Sequence, residues 1–207
     1  MFDYHTHSSF SADSTTPMEK ICETAMELGL KEICFTEHVD LDYPSEELDF
    51  RVDFAQYNMK ISEVREKFPH LGIKKGIEAG FQSHTIQSTY NLLKEQDLDF
   101  IISSVHLVNG QDPYFPEYFQ GQSKKEAYGR YLDKVLESVT RFEYYSVLGH
   151  LGYVTKGAPY EDKVLYYRDF PDEIDAILKT VLSTGHGIEV NTSGLRYCPS
   201  PLPGLDI

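Results

Sequence analysis

Six short apolar runs alternate with helix-like segments along this chain, and each run carries a histidine or a glutamate at or near its end. His5 and His7 close Phe2-Asp3-Tyr4-His5-Thr6-His7. Glu37 and His38 follow Ile33-Cys34-Phe35-Thr36. Glu78 follows Gly72 to Ile77, His106 follows Phe100 to Val105, His150 follows Tyr145 to Gly149, and Glu189 lies in Gly187-Ile188-Glu189-Val190-Asn191. Near-continuous apolar runs such as Phe100-Ile101-Ile102 suit strands buried on both faces, which favours a parallel sheet. Barrels of alternating strands and helices gather their chemistry at the carboxyl ends of the strands. Imidazole and carboxylate are ligand types of zinc, manganese and iron. The pattern therefore predicts an α/β chain of the TIM-like barrel class with a metal centre at the strand ends.

The spacing predicts strands over 2–5, 32–36, 72–78, 99–105, 144–149 and 187–191, and helices over 17–29, 53–67, 84–95, 124–141 and 171–184. Thr16-Pro17-Met18-Glu19 has the form of a capping box with proline in the first turn, Gly29 is a stop signal, and Pro171 opens the last helix. Three long loops, 38–51, 106–123 and 150–170, follow strands and are rich in Tyr, Phe, Asp and Pro. In a barrel they would share one face and shape the substrate pocket.

With 207 residues the chain is expected to form a single domain, 1–207, with a full core. No run of roughly 18 apolar residues is present, so no membrane span is expected. The first strand begins almost at once, which argues against a secretory signal. Cys22, Cys34 and Cys198 are widely spaced, without a CxxC pair. That speaks against a disulfide framework and a thiolate zinc site, and points to the reducing cytoplasm. Cys22 is expected in a helix and Cys34 in a strand. A net charge of −14 repels polyanions, so a small substrate fits better than nucleic acid.

Each candidate residue has a plainer reading beside the functional one. Residues i and i+2 of a strand share a face, so His5 and His7 can grip one ion; an isolated HxH is as readily a surface pair. A single buried histidine is usually satisfied by backbone, but His106 and His150 stand at equivalent positions of successive strands. Glu78, directly after a core strand, is costly to bury unless paired or bound to metal. His38 has Glu37 beside it and Asp40 two residues on. Glu37 reads as an acceptor behind a metal-bound imidazole rather than a ligand. Asp13 lies in a polar loop where a turn-forming aspartate is the simpler reading. His70, His84 and His186 do not end strands and read as surface or helix-end residues.

Taken in order, Asp3-Tyr4-His5-Thr6-His7-Ser8, Phe35-Thr36-Glu37-His38, Gly76-Ile77-Glu78, Ser104-Val105-His106, Gly149-His150-Leu151 and Glu189-Val190-Asn191-Thr192-Ser193 resemble the motifs of the PHP (polymerase and histidinol phosphatase) family of metal-dependent phosphoesterases. The resemblance runs from residue 1 to about 196. Stand-alone size and aromatic loops look most like the histidinol-phosphatase branch. The resemblance implies a distorted barrel of seven strands, about six of them within this sequence, and two to three divalent metal ions (Zn, Mn or Fe). His5, His7 and Glu78 would hold one ion. Glu78, as a bridge, would hold a second with His106 and His150, and Asp13 and His38 would take part in a third. Lys156 and Arg196 are candidates for binding the substrate phosphate. Relatives often carry arginine at the Lys156 position, so a bidentate grip would be weaker here.

The implied reaction is hydrolysis of L-histidinol phosphate to L-histidinol and phosphate in the cytoplasm. The alternatives are another phosphoesterase activity of the same family, on nucleotides or other small molecules, or a truncated metal-binding or interaction protein without activity. One departure bears on the last. The family closes its site with Asp-x-His on a seventh strand, and no such motif follows Asn191. C-terminal structure of roughly 50–60 residues, the scale of a last strand–helix unit, is therefore expected to be missing.

Overall fold

The structure, a computed structural model, describes residues 1–196 and 199–207. Cys198, one of the three cysteines weighed above, lies outside the described residues. The predicted alternation is present: strands β1 (Phe2–Thr6), β2 (Glu32–Val39), β3 (Gly72–Gly80), β4 (Phe100–Ser104), β5 (Val147–Leu148) and β6 (Gly187–Ile188) alternate with helices α1 (Met18–Glu27), α2 (Phe54–Lys67), α3 (Ile86–Leu93), α4 (Lys124–Arg141) and α5 (Pro171–Ser183). The chain divides into two compact units, one of residues 1–79 and 87–102 and one of residues 80–86 and 103–207.

In the first unit the strand order is β1-β2-β3-β4. β1 and β2 run parallel, as do β2 and β3, whose ladder extends to His38 opposite Glu78 and Val39 opposite Ala79. β2 and β3 are thus longer than predicted. Their polar ends, Glu37, His38 and Glu78, lie inside the strands because each is partnered there. Tyr57 of α2 is fully buried and its hydroxyl bonds the carbonyls of Phe35 (2.9 Å) and Gly76 (3.0 Å), fastening the helix across both strands. Gly76 is required where it stands: a Cβ would lie 2.8 Å from the Phe100 carbonyl and 2.7 Å from Cys34 Sγ.

The helix ends follow local chemistry. Asp53 caps α2 by accepting from the backbone of Ala55 and Gln56 at 3.0 and 3.1 Å. Gly29, at φ +71°, closes α1: its N–H reaches Met26, and that of Leu30 reaches Ala25, as in a Schellman motif. The capping box predicted at Thr16 and Glu19 does not form. Pro17 takes the cap position with no side-chain bond, and Glu19 instead pairs with Lys60 of α2 at 2.6 Å. A full capping box occurs at Ser123 and Glu126, at the start of α4.

The second unit contains the end of β4, then β5 and β6, the last two parallel. Both are shorter than predicted. Backbone bonds extend one residue beyond the pair, from Gly187 to Ser146 and from Glu189 to Leu148, but Asn191 turns away and exchanges two hydrogen bonds with Leu202 instead. α4 buries Ala127, Tyr128, Tyr131, Leu132, Val135 and Val139, and α5 buries Ile174, Ile177 and Val181, each a helix-period stripe. Cys22 and Cys34 sit in α1 and β2, buried and unpaired as thiols. Burial raises both thiols well above the ordinary range, that of Cys22 to about 11. No helix among the described residues is long and apolar enough to cross a membrane.

Candidate metal centre

In the first unit four predicted residues meet around one carboxylate oxygen. β1 presents His5 and, just past its end, His7; β2 presents His38; β3 presents Glu78. Glu78 Oε2 lies 3.0 Å from His5 Nε2, 3.2 Å from His7 Nε2 and 3.4 Å from His38 Nδ1. The two Nε2 atoms of His5 and His7 are 3.1 Å apart. Ligands at zinc–nitrogen distances in a tetrahedral shell stand roughly 3.3 Å from one another. The His5–His7–Glu78 triangle, with sides of 3.0 to 3.2 Å, has that dimension. Two nitrogen lone pairs and a carboxylate aimed at one point repel unless a proton or cation lies among them, and Glu78 is only 1% exposed. The donor set fits a divalent metal. His7, His38 and Glu78 form a second overlapping group of ligand type, with donor atoms within 4.8 Å.

Asp13 and Asp40 flank His38 on its two ring nitrogens. Asp13 Oδ2 is 3.5 Å from Nε2, and Asp40 Oδ2 is 3.3 Å from Nδ1. Burial alone would discharge His38, but Glu78, Asp13 and Asp40 outweigh it and raise its pKa to about 9. For Asp13, burial opposes ionisation, yet its bond to His38 holds the carboxyl below the usual range. Asp40 is a further acid at the site that the sequence does not single out. Its signal in the sequence is an acid two residues after His38 in an extended segment, hence on the same face.

Glu37 stands one residue further from the imidazoles than the sequence suggests, behind Ser11. It does not bond an imidazole directly. Fully buried, it accepts from the backbone and hydroxyl of Ser8 and from the hydroxyl of Ser11.

In the second unit His106 and His150, both buried, follow β4 and β5, and their rings stand 5.4 Å apart. Tyr153, in a 3₁₀ turn after His150, packs against both at 5.2 and 5.0 Å. Its hydroxyl donates to Asp112 at 3.1 Å, joining the loop 150–170 to the loop 106–123. Lys156 ends that turn with its ammonium 4.8 Å above the Tyr153 ring, a cation–π contact. Glu189 accepts from the backbone N–H of His150 at 2.7 Å and from Asn191, so it braces β5 from β6. Arg196 is exposed at the end of the 3₁₀ turn Thr192–Arg196. His70 and His84 are exposed, and His186 stacks on Tyr145 at 3.9 Å, in keeping with surface or packing roles.

The PHP domain family matches residues 3–193. A histidinol-phosphatase of Lactococcus lactis is 34% identical over 92% of this chain and 71% of its own length. A probable histidinol-phosphatase of Clostridium acetobutylicum is 31% identical over 98% of this chain and 78% of its own. The crystal structure of the Lactococcus lactis histidinol phosphate phosphatase, complexed with zinc, L-histidinol and phosphate, superposes with a TM-score of 0.89 over 92% of this chain and 73% of that one. A structure from Listeria monocytogenes, described as a putative histidinol phosphatase and 21% identical, shares the fold with a TM-score of 0.82 over 99% of this chain and 88% of that one. The fold class is the TIM-like β/α barrel, represented among the described residues by six strands. The chain belongs to the PHP domain family.

Proposed function

We propose that this chain is a metal-dependent phosphomonoesterase whose substrate is L-histidinol phosphate, released as L-histidinol and phosphate. The observation that carries the reading is the triangle of His5, His7 and Glu78, a cation site built of imidazole and carboxylate, in a chain 34% identical to a phosphatase crystallised with zinc, histidinol and phosphate. The cofactors are two to three divalent ions, with zinc, manganese and iron all suited to this donor set. When bound, such ions supply Lewis-acid polarisation of a phosphoryl oxygen and acidify a water.

The side chains divide the remaining work. His5, His7, Asp13, His38 and Glu78 in the first unit, and His106 and His150 in the second, are the proposed ligands. Lys156 offers three ammonium donors to phosphoryl oxygens, held in place by its seat on Tyr153. Arg196 is the second proposed phosphate contact. The partner is a small phosphorylated molecule rather than nucleic acid, in keeping with a net charge of −14. Residues 1–207 belong to one catalytic domain. Buried, unbridged Cys22 and Cys34 suit the reducing cytoplasm.

The test combines metal content with phosphate release. His106→Ala should lose bound metal and L-histidinol-phosphate hydrolysis together; unchanged turnover would sink the reading. A panel adding AMP and single-stranded DNA separates a histidinol phosphatase from a nucleotide phosphoesterase or nuclease. Metal uptake by the unaltered chain with no phosphate released from any of the three would point to a binding role instead.

A further inference from the structure

The loop after β1 is organised around Glu37, a side chain of β2. Its carboxylate takes the Ser8 backbone N–H at 3.0 Å, the Ser8 hydroxyl at 2.5 Å and the Ser11 hydroxyl at 2.6 Å. Ser11 Oγ has two further neighbours: the backbone N–H of His38 at 3.0 Å and His7 Nδ1 at 3.4 Å. Both Ser8 and Ser11 are buried. This small network touches the strand-end residues of β1 and β2 at once.

Proton counting fixes the direction of every bond. A serine hydroxyl has one proton and two lone pairs. The His38 N–H can only donate, so it uses one Ser11 lone pair. The carboxylate can only accept, and at 2.6 Å it takes the Ser11 proton in a charge-assisted bond. What remains toward His7 is a lone pair, so His7 Nδ1 must be the donor. An imidazole protonated on Nδ1 presents a lone pair on Nε2, the atom that faces His5 Nε2 and Glu78 Oε2.

We propose that Glu37, acting through Ser11, holds His7 as the Nδ1-protonated tautomer and so keeps its Nε2 available as a donor to the cation site. Ser11 and Glu37 are positioning residues, acting through His7. The inference rests on the reading of His7 as a metal ligand. It adds what sets the tautomer and ring orientation, which the ligand set alone leaves undetermined. Without the carboxylate, the Ser11 proton is free to turn toward Nδ1 and favour the opposite tautomer, with Nε2 protonated and closed to metal.

The experiment is long-range ¹H–¹⁵N correlation NMR on the 207-residue chain, with the His7 signals assigned by His7→Gln, alongside zinc titration. Metal-free protein at pH 8 should show His7 protonated on Nδ1 with a pyridine-type Nε2. Ser11→Ala should mix the two tautomers and weaken zinc binding roughly 10–100-fold, the range typical of partners behind a ligand. Ser11→Thr, which keeps the hydroxyl, should retain both properties. A His7 signal protonated on Nε2 in the unaltered chain overturns the proposal, even if Ser11→Ala does not fold. So does a Ser11→Ala variant with tautomer and zinc affinity unchanged. Zinc stoichiometry and affinity unmoved by His7→Gln would instead refute the ligand reading, while the tautomer result stands separately.

Discussion

The imidazoles of His7 and His38 stack face to face, with centroids 4.3 Å apart and planes within 5° of parallel. His7 directly follows β1 and His38 lies in the neighbouring parallel strand β2, and both lean on the same oxygen of Glu78. One buried carboxylate faces both rings and His5 as well. Glu78 is therefore the side chain on which the first unit's cluster turns. Glu78→Gln keeps the shape and removes the charge. Zinc affinity should fall by more than about 100-fold, beyond the range for partners behind a ligand. Calorimetric zinc titration checks this, and an affinity within threefold of the unaltered chain would remove Glu78 from the ligand set.

Lys156 rides on the face of Tyr153, which itself hangs from Asp112. If Lys156 grips the substrate phosphate, Lys156→Ala should lower kcat/KM roughly 10–100-fold, the scale of losing a hydrogen bond to a charged group, about 1.5–3 kcal/mol. Lys156→Arg should match or exceed the parent, because guanidinium binds phosphate bidentately. Tyr153→Leu should raise KM by removing the seat while leaving the ammonium present. Steady-state kinetics on L-histidinol phosphate decide it: an unaffected Lys156→Ala enzyme would leave the lysine a surface residue.

The fold was legible where local signals act alone. Apolar runs marked all six strands, Gly29 and Pro171 marked helix ends, and α4 occupies the predicted 124–141. The strand-end residues of the cluster were legible because an apolar run that stops on histidine or glutamate is unusual. Other features depend on pairings made across long stretches of sequence. Asn191 leaves β6 to bond Leu202, and Glu19 prefers Lys60 to its own helix end. Ser11 lies 26 residues from Glu37, and Tyr153 lies 41 from Asp112. No periodicity announces such contacts, because each is an ordinary polar residue until the strands are paired.

Acid stability should depend on Glu137. On α4 its carboxylate meets Lys134 at 2.5 Å, Ser83 at 2.6 Å and Arg141 at 2.5 Å, and the lysine bond leads the lowering of its pKa to about 2. A depressed carboxyl stabilises the fold above its unfolded value of 4.5, and that contribution is lost as pH falls toward about 2. The group is largely at the surface, so solvent screening limits the effect to about 0.5–1 kcal/mol. Urea melts of the parent and Glu137→Gln should differ at pH 6, and the difference should shrink below pH 4.5 and close only near pH 2. Parallel curves across that range would dismiss the cluster as a stabilising device.

Gly157 marks where the two loops of the second unit meet most closely. A Cβ there would lie 2.3 Å from the carbonyl oxygens of both Pro113 and Tyr114, atoms of backbone that cannot rotate away. The same two loops are tied by the Tyr153–Asp112 bond and by Tyr160, whose hydroxyl donates to the Gln122 carbonyl at 3.1 Å. Gly157→Ala must therefore push one loop off the other, at a cost of about 1–3 kcal/mol by the scale of overpacked sites. Lys156 is the adjacent residue, so its ammonium should shift with the displaced backbone. The expected signature is a lower urea midpoint with KM rising more than kcat falls, since the residues proposed as metal ligands lie outside the clash. If instead stability and KM are both unchanged, the close approach is not maintained in solution, and the seating of Lys156 must be explained by Tyr153 alone.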